Sequence, residues 1–143
     1  MTGREGAILI IGDDSAEAEL IVRAFRKSGF DNPMHAVTDG DEAKKYLRGE
    51  GQYLDRKRFP FPRLVLLDHR MPGTSGWEVL QWFRKDPQFM QLFVVIFSGS
   101  HNPDDEKRAL ELGANAFHIK PQSSEEYESV LKRVAEFWLL GGL

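Results

Sequence analysis

The stretch that most constrains the fold runs from Leu64 to Leu67 and ends in an acid, Asp68. Four apolar residues in a row, bounded by turn residues, predict a strand that is buried on both faces. Strands of this kind belong to parallel sheets, in which ligand sites lie beyond the carboxyl ends of the strands. Asp68 is therefore expected at the sheet edge where an open α/β fold places its chemistry.

Three more apolar runs have the same form, and polar residues follow each of them. A shorter run at 34–37 supplies a further strand. Since the carboxyl ends of parallel strands meet at one edge of a sheet, the polar groups are expected to lie around Asp68. The runs and the residues that follow them are 8–11 with Asp13 and Asp14, 93–97 with Ser98, and 116–119 with Lys120.

Amphipathic segments with helix-capping signals separate the strands. The first helix is predicted from about Ser15 to Lys27, and the others at 41–48, 75–85, 102–112 and from 123 onwards. Capping boxes, in which an N-cap side chain and a glutamate exchange hydrogen bonds, are predicted at Asp14–Glu17, Ser75–Glu78 and Ser123–Glu126. The alternation of five strands with five helices predicts an α/β fold with one doubly wound parallel sheet.

Length and charge narrow the class of protein. The 143 residues suit a single domain with its core at about 7–140, and the net charge of −3 gives no reason to expect direct nucleic-acid binding. The absence of cysteine excludes disulfides and thiolate metal sites. No run has the length of a membrane span or signal peptide, so a cytoplasmic protein is expected. The polar connection at 49–62 is expected to be either a surface loop or a partly disordered segment.

The groups predicted at the sheet edge suit phosphoryl chemistry. Two or three carboxylates form an oxygen-rich site for a hard divalent ion such as Mg²⁺. A hydroxyl and an ammonium beside them can hold the oxygens of a phosphoryl group. A carboxylate can also act as the nucleophile and form an aspartyl phosphate.

The order of these motifs resembles a known family. Over nearly its whole length the chain resembles a bacterial two-component response-regulator receiver domain, on Asp13, Asp68 with Met71-Pro72 and Gly76, Ser98-Gly99 and Lys120-Pro121. The long loop before the third strand and the ending at 136–139 resemble single-domain regulators that partner phytochromes and related sensor kinases. The resemblance implies a flavodoxin-like (βα)5 fold with strand order 2-1-3-4-5. It also implies a histidine kinase as partner and no output domain.

The resemblance implies an acceptor and a metal site. Asp68 matches the phosphate acceptor, Asp13 the direct metal ligand, and the backbone carbonyl of Arg70 a further Mg²⁺ ligand. One position departs from the family pattern, because Gly12 stands where receivers carry the first of two adjacent acids. Asp14 lies one residue beyond that pair, where either a metal contact or a plain N-cap role is open to it.

Three further roles follow from the same resemblance. Ser98 matches the switch hydroxyl that moves toward the phosphoryl group, and Lys120 matches the ammonium that pairs with it. The bond from Lys120 to Pro121 is expected to be cis. Phe117 stands at the position of the aromatic switch residue, although an ordinary core role is the stronger alternative.

The remaining singled-out residues have structural alternatives. His69 and His118 have no partner visible in the sequence, and solvated or packed positions are expected for them. The segment 137–140 places four large apolar residues in little more than one helical turn, so at least one should point away from the core. A homodimer contact that includes Trp138 is the sharper interpretation, and packing of the last turn is the alternative.

Three functions compete at this stage. The leading one is a phosphorelay regulator, which is not an enzyme and signals through altered protein contacts. The second is a degenerate receiver that binds partners without phosphorylation, supported by Gly12 alone. The third is an aspartyl-nucleophile phosphohydrolase. Arg70 counts against it, because those enzymes carry a second acid at this position.

Overall fold

The computed structural model of the protein describes residues 6–71 and 73–140. Pro72 of the Met71-Pro72 motif lies outside the described residues, as do positions 1–5 and 141–143. The strands of the described part are β1 Ala7–Ile11, β2 Met34–Val37, β3 Pro62–Asp68, β4 Phe93–Ser98 and β5 Ala116–Ile119. Its α-helices are α1 Ser15–Lys27, α2 Gly40–Arg48, α3 Gly76–Lys85, α4 Pro103–Glu111 and α5 Ser124–Trp138.

The strands form one parallel sheet in the order β2-β1-β3-β4-β5. This arrangement confirms the predicted α/β fold and its flavodoxin-like strand order. β3 occupies the middle of the sheet, and its last residue, Asp68, is in register with Phe97 of β4. The central strand therefore carries its terminal carboxylate to the middle of one sheet edge.

Helices cover both faces of the sheet, because alternate residues of each strand point to opposite sides. On β3, Val65 and Leu67 pack with side chains of α2, α3 and α4. The neighbouring Leu64 and Leu66 pack with side chains of α1 and α5. Full burial of a side chain of this size contributes about 1.5–3 kcal/mol relative to exposure, so the sheet is held firmly on both faces. None of the described helices is both long and apolar enough to cross a bilayer.

In each predicted capping box the N-cap side chain accepts a hydrogen bond from the helix backbone, as expected. The glutamates of two boxes, however, bond to other groups. Asp14 Oδ1 accepts hydrogen bonds from the backbone N–H groups of Ala16 and Glu17. The Glu17 carboxylate does not return to the cap and instead bonds elsewhere, as described below. Glu126 accepts from the backbone N–H of Gln122, one residue before its N-cap. The reciprocal bonds predicted for these two boxes are therefore wrong, since other donors hold both carboxylates.

The connection between α2 and β3 is packed rather than disordered. It contains a 3₁₀ turn, Gly51–Tyr53, and the Tyr53 ring is buried in the core. The Arg56 guanidinium donates to the carbonyls of Tyr46 at 2.7 Å and Leu47 at 2.8 Å. The last carbonyls of a helix lack hydrogen-bond donors within the helix. Arg56 supplies these donors to α2 and thereby holds the loop in place. Of the two alternatives, a surface loop and a partly disordered segment, the structure shows the ordered surface loop.

Candidate functional site

A cleft of about 680 Å³ opens at the carboxyl edge of the sheet. Its lining residues come from the segments that follow β1, β3, β4 and β5, as expected for parallel strands. They are Asp13, Asp14, Ser15, Asp68, Arg70, Gly99, Ser100 and Lys120. Most of these residues are predicted site residues. Ser98, which is also a predicted site residue, is not part of the lining.

Asp68 is the carboxylate at the centre of this edge, and it is 7 % exposed. Its Oδ2 atom accepts a hydrogen bond from Lys120 Nζ at 2.9 Å, and its Oδ1 atom accepts from the backbone N–H of Arg70 at 3.1 Å. α3 begins directly beside it at Gly76, where a Cβ atom would lie 2.4 Å from the Asp68 carbonyl oxygen. Only glycine allows this close approach, so Gly76 helps to define the position of Asp68.

Lys120 is held between two carboxylates. Besides the bond to Asp68, its Nζ atom lies 3.3 Å from Glu17 Oε1. Burial lowers the pKa of Lys120, but the hydrogen bonds and charges of Asp68 and Glu17 outweigh burial and raise the pKa overall. The side chain is therefore an ammonium at neutral pH, in position to pair with further anionic oxygens in the cleft.

The peptide bond from Lys120 to Pro121 is trans, as are all other described peptide bonds. The prediction of a cis bond is wrong. The tertiary amide before proline prefers trans by only about 0.5–1 kcal/mol, so the surroundings decide the isomer. Here the trans bond is compatible with the contact between Lys120 and Asp68.

Glu17 belongs to the site, although the sequence analysis assigned it only to a capping box. Its side chain is 16 % exposed, and its Oε2 atom accepts a hydrogen bond from the Tyr127 hydroxyl of α5 at 2.9 Å. Burial raises the pKa of Tyr127, and the Glu17 carboxylate raises it further. A continuous set of contacts thus runs from Asp68 through Lys120 and Glu17 to α5. The only sequence signal for it was an acid one helical turn beyond Asp13.

The oxygen donors of the cleft suit a hard divalent ion. Asp13 is exposed in the cleft and carries its carboxylate there with Asp68 and Arg70. Among the described residues no group of three or more His, Cys, Asp or Glu side chains forms a metal cluster. Mg²⁺ is commonly held by one or two carboxylates and keeps several waters, so two carboxylates and a backbone carbonyl fit it.

Gly12 lies beside Asp68 and contributes no carboxylate to this set. A Cβ atom on Gly12 would lie 3.3 Å from the Cβ atom of Asp68, which is a tight contact. Asp14 lines the cleft, but its Oδ1 atom caps α1. The N-cap alternative for Asp14 is therefore realised.

Ser98, the last residue of β4, is 1 % exposed, and its hydroxyl contacts the His69 ring and the backbone of Ser100. Ser98 Oγ lies 2.9 Å from His69 Nδ1 and accepts a hydrogen bond from the backbone N–H of Ser100 at 3.0 Å. The His69 ring is 7 % exposed and packs against Trp77 with 4.2 Å between ring centroids. Burial lowers the pKa of His69, so the imidazole is neutral at pH 7. His69 is thus packed, as expected, but its bond to Ser98 was not foreseen.

The other predicted positions lie on β5 and α5. Phe117 is partly buried against the core on the α2–α4 face, which agrees with the ordinary core role. His118 points to the opposite face and stacks on Phe97. In the last turn of α5, Phe137 is 58 % exposed, whereas Leu139 is fully buried. One large apolar residue does point away from the core, as predicted.

Known proteins match this chain over most of its length. The family model of the response regulator receiver domain matches residues 8–132. The chain is 36% identical over 135 residues to the probable methanogenesis regulatory protein FilR2 of Methanothrix harundinacea, covering 92% of this chain and 83% of that protein. It is 30% identical over 132 residues to the response regulator Rcp1 of Synechocystis, covering 92% of this chain and 88% of that protein.

Solved structures show the same likeness. The crystal structure of the phosphorylated cyanobacterial phytochrome response regulator RcpA matches with a TM-score of 0.85 and 33% identity, covering 97% of each chain. The Mn²⁺-bound form of Rcp1 matches with a TM-score of 0.81 and 29% identity, covering 94% of each chain. With its parallel five-stranded sheet and strand-end acids, the chain belongs to the response regulator receiver domain family.

Proposed function

We propose that this phosphorelay response regulator accepts a phosphoryl group on Asp68 from a sensor histidine kinase. The observation that carries the proposal is the Asp68 carboxylate at the end of the middle strand, beside an open cleft and 2.9 Å from the Lys120 ammonium. A carboxylate oxygen attacks the phosphorus of a phosphohistidine, and the new O–P bond forms as the P–N bond breaks. The imidazole nitrogen leaves with the bonding electron pair, and Lys120 stabilises the phosphoryl oxygens.

Mg²⁺ is the proposed cofactor, with Asp13, Asp68 and the Arg70 carbonyl as its protein ligands. When bound, the ion offsets the negative charge of the carboxylates and of the phosphoryl oxygens. The Mn²⁺-bound form of the relative Rcp1 supports a divalent ion in this position. In this chain Arg70 N–H and Lys120 orient the Asp68 carboxylate from two directions, so the nucleophile is positioned before the donor arrives.

The proposed donor is a phytochrome-like histidine kinase. RcpA, which the chain resembles over 97% of its length, is a cyanobacterial phytochrome response regulator. The proposed signal leaves by altered protein contacts at the face formed by β5 and α5. Ile119 is 44 % exposed and Phe137 is 58 % exposed on this face, and Trp138 lies partly buried between Phe137 and Phe93. A homodimer through this face would bury more of the exposed Phe137 side chain than of the partly buried Trp138.

The test of the acceptor is labelling with acetyl phosphate and Mg²⁺, read by intact mass. The parent should gain one phosphoryl group, and Asp68→Asn, which is nearly isosteric, should gain none. Asp14→Asn is the matched control, because it removes another carboxylate from the cleft while asparagine still caps α1. It should be labelled like the parent.

Each other result points to a different function. Labelling of Asp68→Asn at the parental level means that another residue accepts the phosphoryl group. A parent that is never labelled favours the degenerate receiver, and steady turnover of a phosphate monoester favours the phosphohydrolase. The dimer is tested by light scattering of the parent and Phe137→Ser, with and without beryllofluoride, since removal of a contact residue should lower the mass of a dimer.

A further inference from the structure

The hydroxyl of Ser98 is directed into the protein rather than into the cleft. Its Oγ atom meets His69 Nδ1 at 2.9 Å and the N–H of Ser100 at 3.0 Å, and Ser98 as a whole is 1 % exposed. Its neighbours Gly99 and Ser100 line the cleft, whereas its own side chain does not. A hydroxyl has one proton to donate and two lone pairs. The tautomer of His69 decides which of the two groups donates, and with either tautomer Ser98 has to leave His69 before its hydroxyl can turn toward an oxygen on Asp68.

His69 is held through its backbone and through its ring. Its backbone N–H donates to the carbonyl of Phe97 at 3.2 Å, and its own carbonyl accepts from Gly76 N–H at 3.0 Å. One face of the imidazole packs on Trp77, at 4.2 Å between centroids. The side chain thus sits between the end of β4 and the start of α3, as a rigid hydrogen-bonding partner at the first position after Asp68.

From this geometry we infer that His69 is a positioning residue, which holds the Ser98 hydroxyl away from Asp68 until a phosphoryl group is present. The inference rests on the proposed function of Asp68 and Ser98. Phosphoryl oxygens are charged acceptors and form stronger bonds than a neutral imidazole does. Ser98 consequently changes partner when Asp68 is phosphorylated. The bond between Ser98 and His69 must break in this step, so it opposes the change. His69 in this way sets how readily the protein enters its phosphorylated conformation.

The size of the effect follows from the strength of one hydrogen bond. A neutral hydrogen bond contributes a net amount that changes an equilibrium roughly three- to tenfold. A ligand that binds only the activated conformation gains apparent affinity in proportion to the fraction of competent protein. Loss of the bond between His69 and Ser98 should therefore tighten the binding of a phosphoryl analogue by roughly three- to tenfold.

The experiment is a titration with beryllofluoride and Mg²⁺, followed by the amide NMR signals of Ser98 and Lys120. His69→Phe keeps a ring against Trp77 and removes the hydrogen bond, and it should bind the analogue more tightly than the parent. His69→Leu is the second variant, for use if phenylalanine does not fold. His69→Asn is the conservative control, because its side-chain amide lies where Nδ1 lies, and it should bind like the parent.

A double-mutant cycle separates positioning from general packing. If His69 acts through the Ser98 hydroxyl, His69→Phe should have no effect on analogue affinity in a Ser98→Ala background. An equal effect with and without the hydroxyl overturns the inference, as does an unchanged affinity of both His69→Phe and His69→Leu. A parent that takes no beryllofluoride and no acetyl phosphate overturns the proposed function as well. A parent that takes both, with unaffected His69 variants, overturns only the inference on His69.

Discussion

On one side of Asp68 the contacts involve charged side chains, of which Lys120 reaches the open cleft, and on the other side they join neutral groups. The lysine side consists of Lys120, Glu17 and Tyr127. The serine side consists of Ser98, His69 and Trp77. The Lys120 side chain is 26 % exposed, whereas Ser98 is 1 % exposed.

This difference between the two sides suggests how the surroundings of one carboxylate can both attract an anionic phosphoryl donor and respond to phosphorylation. Charges act over several ångströms, so the lysine side suits the attraction of an anionic donor. A neutral hydrogen bond acts only at contact distance, and a dry environment makes its loss expensive. The serine side therefore suits a two-state choice of partner. The two sides also lead to different helices, α1 and α5 in one case and α3 in the other.

The largest effect is expected from breaking the lysine side. Lys120→Met removes the ammonium but keeps an unbranched chain of similar length. Hydrogen bonds to charged groups contribute about 1.5–3 kcal/mol, so the rate of acetyl-phosphate labelling should fall roughly 10- to 100-fold. Stopped time courses read by intact mass measure it. His69→Phe, on the serine side, should not slow labelling, and an equal loss in both variants would contradict the division between the two sides.

A metal titration tests which acids belong to the charged part of the cleft. Mg²⁺ that binds only the folded protein should raise its stability, by about 2.7 kcal/mol at a concentration one hundred times the dissociation constant. Asp13→Ala should remove most of this increase. Asp14→Ala should keep the increase but lose about 1 kcal/mol of metal-free stability, because it removes an N-cap.

Thermal unfolding with and without Mg²⁺ measures both the metal-free stability and the increase in stability that Mg²⁺ gives. Asp14→Asn supplies the control, since asparagine retains the cap. Equal losses of the Mg²⁺ increase in Asp13→Ala and Asp14→Ala would mean that both acids contact the ion, contrary to the separate roles that their positions indicate.

A smaller effect is expected at the far end of the lysine side. Tyr127→Phe removes the bond to Glu17 without changing the ring, so the free energy of unfolding should fall by about 0.5–1.5 kcal/mol. Because Tyr127 bonds to α1 whereas His69 contacts β4 and α3, the losses in Tyr127→Phe and His69→Phe should add in the double variant. Urea unfolding measures the sum. A deviation much beyond about 0.5 kcal/mol, the usual limit of additivity, would show that the two sides are coupled through Asp68.

The smallest effect concerns pH and β5, the strand that precedes Lys120. Burial lowers the pKa of His118, Arg133 lowers it further, and Glu106 partly opposes this. The unfolded chain thus takes up the proton first as the pH falls below 6.5, the ordinary histidine pKa, so stability is lost in that range. His118→Phe keeps the stacking on Phe97 and should reduce the slope, by at most about 1.4 kcal/mol per pH unit.

Chemical unfolding at pH values between about 7.5 and 5.5, roughly one unit either side of the ordinary histidine pKa, measures this slope. His35, whose pKa burial also lowers, should leave a residual slope in the variant. An unchanged slope in His118→Phe would mean that protonation of His118 does not differ between the folded and unfolded chains.

The sequence alone determined the sheet and the positions of its terminal acids. Apolar runs and helix caps can be recognised from residues that are close in the sequence. The rule that parallel strands end at a common edge then places Asp13, Asp68 and Lys120 together. These features need only local pattern and topology. The family resemblance rested on the same positions, so it too was available before any coordinates.

Only the tertiary structure decided which side chains pair around Asp68. His69 and Ser98 are 29 positions apart, and Glu17 and Tyr127 are 110 positions apart. A glutamate at the third position of a helix can return to its cap or turn to a neighbouring helix, and the packing of α1 against α5 selects the second. A histidine after a buried strand can likewise face solvent or the next strand. Such choices depend on rotamers, burial and distant partners, which periodicity does not encode.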